Sequence, residues 1–242
     1  MNLVIDVGNT LVKMAVFEDG QIVYKKNCIK QDLLKVLSEI TFGFKDIGNC
    51  IVSAVGKLSQ AQLKKLNEHF SVVELSHHSI IPFTNTYGTP ETLGVDRIAL
   101  VSAAAKSYPK KNVLIIDAGS CITYDFLDEK NKYLGGAISP GITMRYNALN
   151  TFTSGLPLLD TNAPKDLIGN STATSIHSGV VFGVLHEIDG FIDAYLEKFT
   201  DLTVILTGGD AHFLLDSLKN DIFANSNFLL VGLNHILELN KN

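Results

Sequence analysis

Residues 6–13 carry the groups that a phosphate-binding site needs. Asp6 ends a short apolar strand, Gly8 permits a tight turn, and Lys13 follows on the next strand. Open α/β sheets bind ligands at the carboxyl ends of strands, and N–H groups of such a turn can face an anion. The segment therefore predicts a cradle for a metal-bound phosphate, although an ordinary β-hairpin turn would show the same residues.

Residues 94–97 offer a different chemistry. Asp96 and Arg97 precede a run of small apolar residues, Ile98 to Ala105, which is typical of a buried helix. Thr89 and Pro90 are a good helix start, with a restart or kink at Gly94. At the mouth of this helix, Asp96 would be a carboxylate base beside an anion-binding guanidinium. The alternative is an internal ion pair or a partner for the helix dipole.

The opening pattern returns at residue 113. An apolar strand again leads into an aspartate, Asp117, followed by Gly119 and Ser120, and a returning strand and a third strand come next. Chance would have to supply the same module twice, so the repeat weighs against the simple hairpin explanation. Two such turns would grip a nucleotide phosphate chain from both sides.

The remaining chain must position these groups. Each meander is followed by alternating helices and strands, which predicts an α/β arrangement with a domain over residues 1–112 and another over residues 113–242. A long helix is predicted from Ser171 to about Phe199. Within it Ser175, Gly179 and Gly183 recur every four residues, a stripe that suits either internal packing or a subunit interface.

Composition narrows the class of protein. The 242 residues carry a formal net charge of −5, so duplex nucleic acid is not an expected partner. No apolar run approaches the ~20 residues of a membrane span. The three cysteines are widely spaced, without the C-x-x-C pattern, which fits a reducing compartment. We therefore expect a cytoplasmic globular protein with neither a nucleic-acid nor a membrane partner.

Five short segments, in order, resemble the type III pantothenate kinase family of the sugar-kinase and actin superfamily. The segments are Asp6–Thr10, Gly94–Arg97, Asp117–Ser120, Gly136–Gly141 and Thr207–Asp210. The resemblance spans nearly the whole chain. It implies two duplicated ribonuclease-H-like (actin-like ATPase) domains with a central cleft. It also implies ATP-dependent phosphorylation of pantothenate to 4′-phosphopantothenate, the first step of coenzyme A biosynthesis.

The resemblance also implies roles for individual residues. Asp96 matches the general base. The matched ATP contacts are Asp6, Val7, Gly8, Asn9, Thr10, Leu11, Val12, Lys13 and Ser120. The matched pantothenate contacts are Tyr87, Gly94, Val95, Asp96, Arg97 and Thr172. Asp117 matches the site of a monovalent cation, K⁺ or NH₄⁺. The family resemblance further implies a homodimer, which favours the interface explanation of the small-residue stripe.

Phosphoryl transfer depends on positioning and charge neutralisation, so we expect Asp6 to partner Mg²⁺ directly or through water. Ser120-Cys121 stands where the family usually has Thr-Ala, and serine keeps the hydroxyl.

Two alternative functions remain open. One is a kinase of the same superfamily acting on another small alcohol or a sugar. The other is a nucleotide-sensing regulator without turnover, against which the intact Asp6, Asp96, Arg97 and Asp117 count.

Overall fold

The computed structural model describes residues 1–8, 10–54 and 58–241, which form two compact units. The first unit contains the described residues up to Pro109, the short segment Asn131–Tyr133 and the chain from Asn227 onward. The second unit contains Lys110–Lys130 and Leu134–Ser226. A β-sheet lies at the centre of each unit.

The described residues form eleven strands and seven α-helices. The strands are β1 (Asn2–Val7), β2 (Val12–Glu18), β3 (Gln21–Cys28), β4 (Asn49–Ala54), β5 (Ser71–Glu74), β6 (Thr84–Asn85), β7 (Asn112–Ala118), β8 (Cys121–Leu127), β9 (Lys132–Pro140), β10 (Leu202–Thr207) and β11 (Phe223–Ala224). The helices are α1 (Leu33–Gly43), α2 (Gln60–His69), α3 (Val95–Ser107), α4 (Ile142–Thr151), α5 (Thr172–Lys198), α6 (Ala211–Leu215) and α7 (Phe228–Asn240).

The two sheets repeat one strand order. The first unit has the order β3-β2-β1-β4-β5, with β1 antiparallel to β2 and parallel to β4. The second has the order β6-β9-β8-β7-β10-β11, in which β7 is antiparallel to β8 and parallel to β10, so its last five strands repeat the order of the first sheet. A meander followed by a parallel strand beside its first strand is thus built twice. The repeated sequence pattern and the repeated topology agree.

Side-chain alternation decides which residues of β1 and β7 enter the cores. The odd-numbered residues of β1 pack with α1, and the even-numbered residues of β7 pack with α5. Asp6 and Asp117 therefore lie on the opposite face of their own sheet. On that face of the first unit, Asn2 donates a 2.9 Å hydrogen bond to Asn234 of α7.

The placement of the last helix differs from the domain division predicted from sequence, because α7 belongs to the first unit. It packs on α3, β1 and β4. Gly232 comes so near to α3 that a Cβ there would lie 1.8 Å from the Ala99 carbonyl oxygen. The boundary at 112/113 kept this helix in the second domain. Its apolar sequence shows that it is buried, but small residues on α3 decide which unit buries it.

The predicted start of the long helix α5 is confirmed by its cap. Ser171 precedes the helix, and its hydroxyl accepts a 3.2 Å hydrogen bond from the Thr174 N–H. The Thr174 hydroxyl oxygen accepts a 2.9 Å hydrogen bond from the Ser171 N–H in return. This reciprocal pair satisfies two N–H groups that the helix itself leaves without partners. Among the helices of the described residues, none has the length and apolarity that a membrane span requires.

Candidate active site

Asp6 lies at the carboxyl end of β1, between two polar neighbours. Strand register pairs Asp6 with Lys13 on β2 and with Ser53 on β4. Paired residues on adjacent strands point to the same face, so these three side chains form one row across the sheet. Lys13 Nζ lies 4.0 Å from Asp6 Oδ2. The predicted pairing of a carboxylate and a lysine at this edge is therefore present in the first unit.

The Asp6 carboxyl group is 4 % exposed, and its pKa is raised to about 6. Burial is the largest cause, because it disfavours the ionised form. The ammonium of Lys13 opposes that shift, and the negative charge of Asp96 adds to it. Asp6 and Asp96, two predicted site carboxylates, belong to the same unit, and the charge of Asp96 contributes to the raised pKa of Asp6.

The turn after Asp6 is closed by its own backbone. The Gly8 N–H donates a 3.1 Å hydrogen bond to the Leu11 carbonyl oxygen, and Thr10 and Leu11 are exposed. Val7 and Val12 are fully buried in the core, so any contact they make with a ligand involves their backbone. The predicted contact at residue 9 lies outside the described residues.

Asp96 lies in the first turn of α3. Gly94 separates a short 3₁₀ turn, Pro90–Thr92, from this helix and is its N-cap residue. Asp96 Oδ1 accepts a 2.9 Å hydrogen bond from the Arg97 N–H, one of the N–H groups that a helix start leaves without a helical partner. A Cβ at Gly94 would lie 2.4 Å from that same oxygen. The glycine therefore makes room for the carboxylate.

Arg97 is buried, and its guanidinium group lies over the ring of Tyr87. Its guanidinium carbon lies 5.5 Å from the centroid of the Tyr87 ring, which is a cation–π distance. The Tyr87 ring in turn stacks on the Tyr133 ring, with centroids 6.0 Å apart and planes 21° apart. Tyr133 is fully buried, so it forms a fixed floor for this stack. Tyr87, Asp96 and Arg97, all predicted substrate contacts, lie in the same unit.

The second unit repeats the row of polar residues. Asp117 on β7 pairs with Thr123 on β8 and Thr207 on β10, as Asp6 pairs with Lys13 and Ser53. The Thr123 hydroxyl oxygen is buried and has no hydrogen-bond partner within the described part of the chain. Gly208 has a φ of +100°, and a Cβ there would lie 2.5 Å from Asp117 Oδ1. Glycine at 208 thus keeps space beside the aspartate.

The backbone of Gly141 packs closely against the Gly119–Ser120 turn. The Gly119 N–H donates a 2.9 Å hydrogen bond to the Cys121 carbonyl oxygen, and the Gly141 N–H donates a 3.2 Å bond to the Ser120 carbonyl oxygen. A Cβ at Gly141 would lie 2.1 Å from the Gly119 carbonyl oxygen, so only glycine allows this approach. The turn exposes the Ser120 side chain.

Thr172, the remaining predicted substrate contact, is exposed at the first position of α5 in the second unit. Sequence reasoning missed Ser53 and Thr123 as neighbours of the two aspartates. The internal repeat contains a signal for Ser53, because Cys50–Ser53 and Val204–Thr207 are both apolar strand segments that end in a hydroxyl residue. Thr123 required the strand register.

Within the described residues, no cluster of three or more His, Cys, Asp or Glu side chains forms a metal site.

A polar cavity of about 350 Å³ lies in the first unit, lined by residues that include Asn2, Lys106, Asn234 and Glu238. None of its lining residues is a predicted site residue. The cavity is therefore separate from the row at Asp6.

Comparison with protein families gives a match to the type III pantothenate kinase model over residues 2–194. A protein of Christiangramia forsetii named type III pantothenate kinase is 50 % identical over 241 residues, covering 100 % of this chain and 99 % of the relative. A protein of Bacteroides fragilis strain YCH46 with the same name is 42 % identical over 245 residues, with coverage of 100 % and 99 %.

Solved structures show the fold. A conserved Campylobacter jejuni protein assigned to the Baf family of transcriptional activators superposes with a TM-score of 0.62 at 23 % identity, covering 98 % of this chain and 97 % of that one. A glucokinase from an Antarctic psychrotroph superposes with a TM-score of 0.51 at 12 % identity and 98 % coverage of both chains. The predicted α/β class with ribonuclease-H-like, actin-like units is confirmed.

Proposed function

This chain belongs to the type III pantothenate kinase family, and we propose that it transfers the γ-phosphoryl group of ATP to the 4′-hydroxyl of pantothenate. The observation that carries the proposal is that the polar row containing Asp6 and the helix start containing Asp96 lie in the same unit. Asp6 is buried beside a lysine, whereas Asp96 is partly exposed at a helix start. Two carboxylates in different environments suit two different roles, one toward the donor and one toward the acceptor.

Asp6 and Lys13 act on the donor side of this proposal. The buried Asp6 carboxylate lies beside Ser53, whose hydroxyl oxygen is buried and has no hydrogen-bond partner in the described part of the chain. Oxygen ligands of this kind fit Mg²⁺. Bound Mg²⁺ would neutralise charge on the triphosphate oxygens. Lys13 would bind phosphate oxygens beside the turn that begins at Gly8, and the exposed Ser120 hydroxyl would contact ATP from its own turn.

Asp96 and Arg97 act on the acceptor side. Asp96 Oδ1 is fixed by the Arg97 N–H, so the carboxylate is held in one orientation and can accept the proton of the attacking hydroxyl. Arg97, stacked on Tyr87, carries a permanent positive charge that can pair with the pantothenate carboxylate. Tyr87, Gly94 and Val95 would complete the acceptor contacts, with Thr172 as a further one.

Replacing Gly94 with alanine tests the fixed position of Asp96. A Cβ at 94 would collide with Asp96 Oδ1 and push the carboxylate away, while little else in the fold would move. We expect kcat to fall about tenfold, since misplacing a reacting group by about 1 Å can cost up to 10²-fold. The melting temperature should change little. Gly88→Ala is the matched control, because a Cβ there meets nothing within 4 Å.

Asp117 is the proposed partner of a monovalent cation. The Asp117 carboxylate and the buried Thr123 hydroxyl supply oxygen ligands, and Gly208 leaves room beside them, which hard cations such as K⁺ require.

Duplication of the ribonuclease-H-like unit is proposed from the shared strand order and register. A cytoplasmic location is proposed because Cys28, Cys50 and Cys121 are all free thiols.

A homodimer is proposed through the second unit. Gly179 on α5 has nothing within 4 Å of the position of a Cβ, so the small-residue stripe does not serve close packing at that point. Large apolar side chains of the same unit are exposed, among them Phe152 at 84 % and Ile168 at 85 %. Contact with a second copy of the chain would remove this apolar surface from water. Sedimentation equilibrium tests this, since a monomeric mass at micromolar concentration would contradict it.

Steady-state release of ADP tests the function. We expect turnover that requires pantothenate and falls when K⁺ is replaced by Na⁺. A panel of other small alcohols and sugars separates pantothenate kinase from a kinase of the same superfamily with a different acceptor. Absence of turnover with every acceptor, in either salt, would instead favour a nucleotide-sensing regulator.

A further inference from the structure

Arg145 on α4 links three parts of the second unit. Its Nε donates a 2.9 Å hydrogen bond to the Pro140 carbonyl oxygen, and its Nη2 donates a 2.8 Å bond to Ser139 Oγ. Nη2 also forms an ion pair with Glu187 Oε2 on α5 at 2.5 Å. A single planar guanidinium therefore fixes the end of β9 relative to helices α4 and α5.

Glu187 is itself held in place from the sheet. Its Oε1 accepts a 3.0 Å hydrogen bond from the hydroxyl of Tyr124, which is fully buried on β8. Both charged side chains are about three-quarters shielded from water, with exposed fractions of 22 % for Arg145 and 24 % for Glu187. The pair is thus anchored at both ends and is more rigid than an ion pair on an open surface.

The end of β9 that Arg145 fixes leads into Gly141, which contacts the backbone of the Gly119–Ser120 turn. Pro140 precedes Gly141, whose N–H bonds the Ser120 carbonyl oxygen and whose missing Cβ lets the Gly119 carbonyl oxygen approach. A shift of the Pro140 carbonyl would be passed to Gly141 through one peptide unit, and peptide units are rigid. The contacts form a continuous path from Glu187 to the backbone of Ser120.

We propose that Arg145 and Glu187 are positioning residues that hold the Gly119–Ser120 turn in the geometry that binds ATP. The inference rests on the proposed contact between Ser120 and the nucleotide. Neither residue would touch ATP. Their role would be to preorganise the turn, so that binding does not have to order it.

Arg145→Lys is the sharpest test. Lysine keeps a positive charge near Glu187, but it cannot reproduce the planar fork that reaches Pro140, Ser139 and Glu187 together. We expect the Kd for Mg-ATP, measured by titration calorimetry, and the KM for ATP to rise about tenfold, as for a turn displaced by less than about 1 Å. The KM for pantothenate should stay within about twofold, since the proposed acceptor residues of the first unit are untouched.

Glu187→Gln provides a second variant, which removes the charge but keeps an acceptor for Tyr124 and should weaken ATP binding less than Arg145→Lys. Asp193→Asn is the matched control, because it breaks another ion pair of α5, with Lys219 at 2.7 Å, that makes no contact with Arg145 or Ser139. A merely structural role would lower the melting temperature of Arg145→Lys and its active fraction without raising the Kd per active molecule.

The outcomes separate this inference from the proposed function. If Ser120→Ala weakens ATP binding and Arg145→Lys binds ATP as wild type does, the inference is overturned. If Arg145→Lys and Ser120→Ala both weaken ATP binding but pantothenate is not phosphorylated, the positioning role is supported and the choice of acceptor is wrong. If neither Ser120→Ala nor Arg145→Lys changes ATP binding, the positioning role falls together with the Ser120 contact.

Discussion

Asp96→Asn is expected to lower kcat by about 10³-fold, within the range of 10²–10⁴ for losing a general base. The amide oxygen can still accept the hydrogen bond that Asp96 Oδ1 receives from the Arg97 N–H, so α3 should begin at the same residue. The charge and the proton-accepting ability are lost, while the shape is kept. The KM for ATP should change little, because the proposed donor contacts are elsewhere.

The measurement is steady-state phosphorylation of pantothenate at saturating ATP, with circular dichroism and a melting curve to establish folding. Glu91→Gln is the matched control, since it neutralises an exposed carboxylate five residues earlier. The control should retain wild-type kcat. A folded Asp96→Asn protein that works at near wild-type rate would show that Asp96 is not the base.

Asp6→Asn is expected to abolish most activity and yet to stabilise the fold. The proposed Mg²⁺ partner is lost, and removing one such electrostatic contribution costs about 10²–10³-fold in kcat. In metal-free buffer near neutral pH, however, the buried and only partly compensated Asp6 charge is a burden on the folded state. Activity and stability should therefore change in opposite directions.

The pH dependence follows from the direction of the shift. The carboxyl pKa is about 6 in the folded protein, against an ordinary aspartate value of 3.8, so the folded state keeps its proton over a range where the unfolded chain has lost it. The penalty is absent below the lower value, grows as pH rises, and is complete above about 6. Its full size is about 3 kcal/mol, at 1.36 kcal/mol per pKa unit.

Urea unfolding at pH 5 and pH 8 checks this second prediction. The stability gained by Asp6→Asn over wild type should be larger at pH 8, where the wild-type penalty is complete. Glu18→Gln, which neutralises an exposed carboxylate on β2, should show no such gain. A variant that is less stable than wild type at pH 8, or a difference that does not change with pH, would contradict the assignment of Asp6 as a destabilising buried charge.

Local sequence was sufficient for most of the elements and for the catalytic candidates, but it did not indicate the two-residue strands β6 and β11. The β-meanders, the restart of the helix at Gly94 and the cap at Ser171 all follow from residue types within a few positions of one another. The repeat of an aspartate and a glycine turn after an apolar strand identified Asp6 and Asp117 without any contact between distant segments. Membership of the family followed from the same short segments.

Long-range contacts decided the rest. No pattern in residues 228–240 indicates that α7 belongs with the first unit, because that depends on how closely Gly232 can approach Ala99. The neighbours Ser53 and Thr123 became visible only once strand register placed them beside Asp6 and Asp117. The link from Glu187 through Arg145 to the Ser120 turn likewise joins residues more than 40 positions apart.

The carboxylate and glycine turn at residues 6–8 could thus be identified from sequence, because the same pattern of apolar strand, aspartate and glycine returns at residues 113–119. The burial of the turn and the charges around it were determined by tertiary structure. The raised pKa of Asp6 arises from burial and from charges on β2 and α3, and neither is encoded next to Asp6 in the chain. Local propensity determines which groups are present, whereas packing determines their solvation and their partners, and so their reactivity.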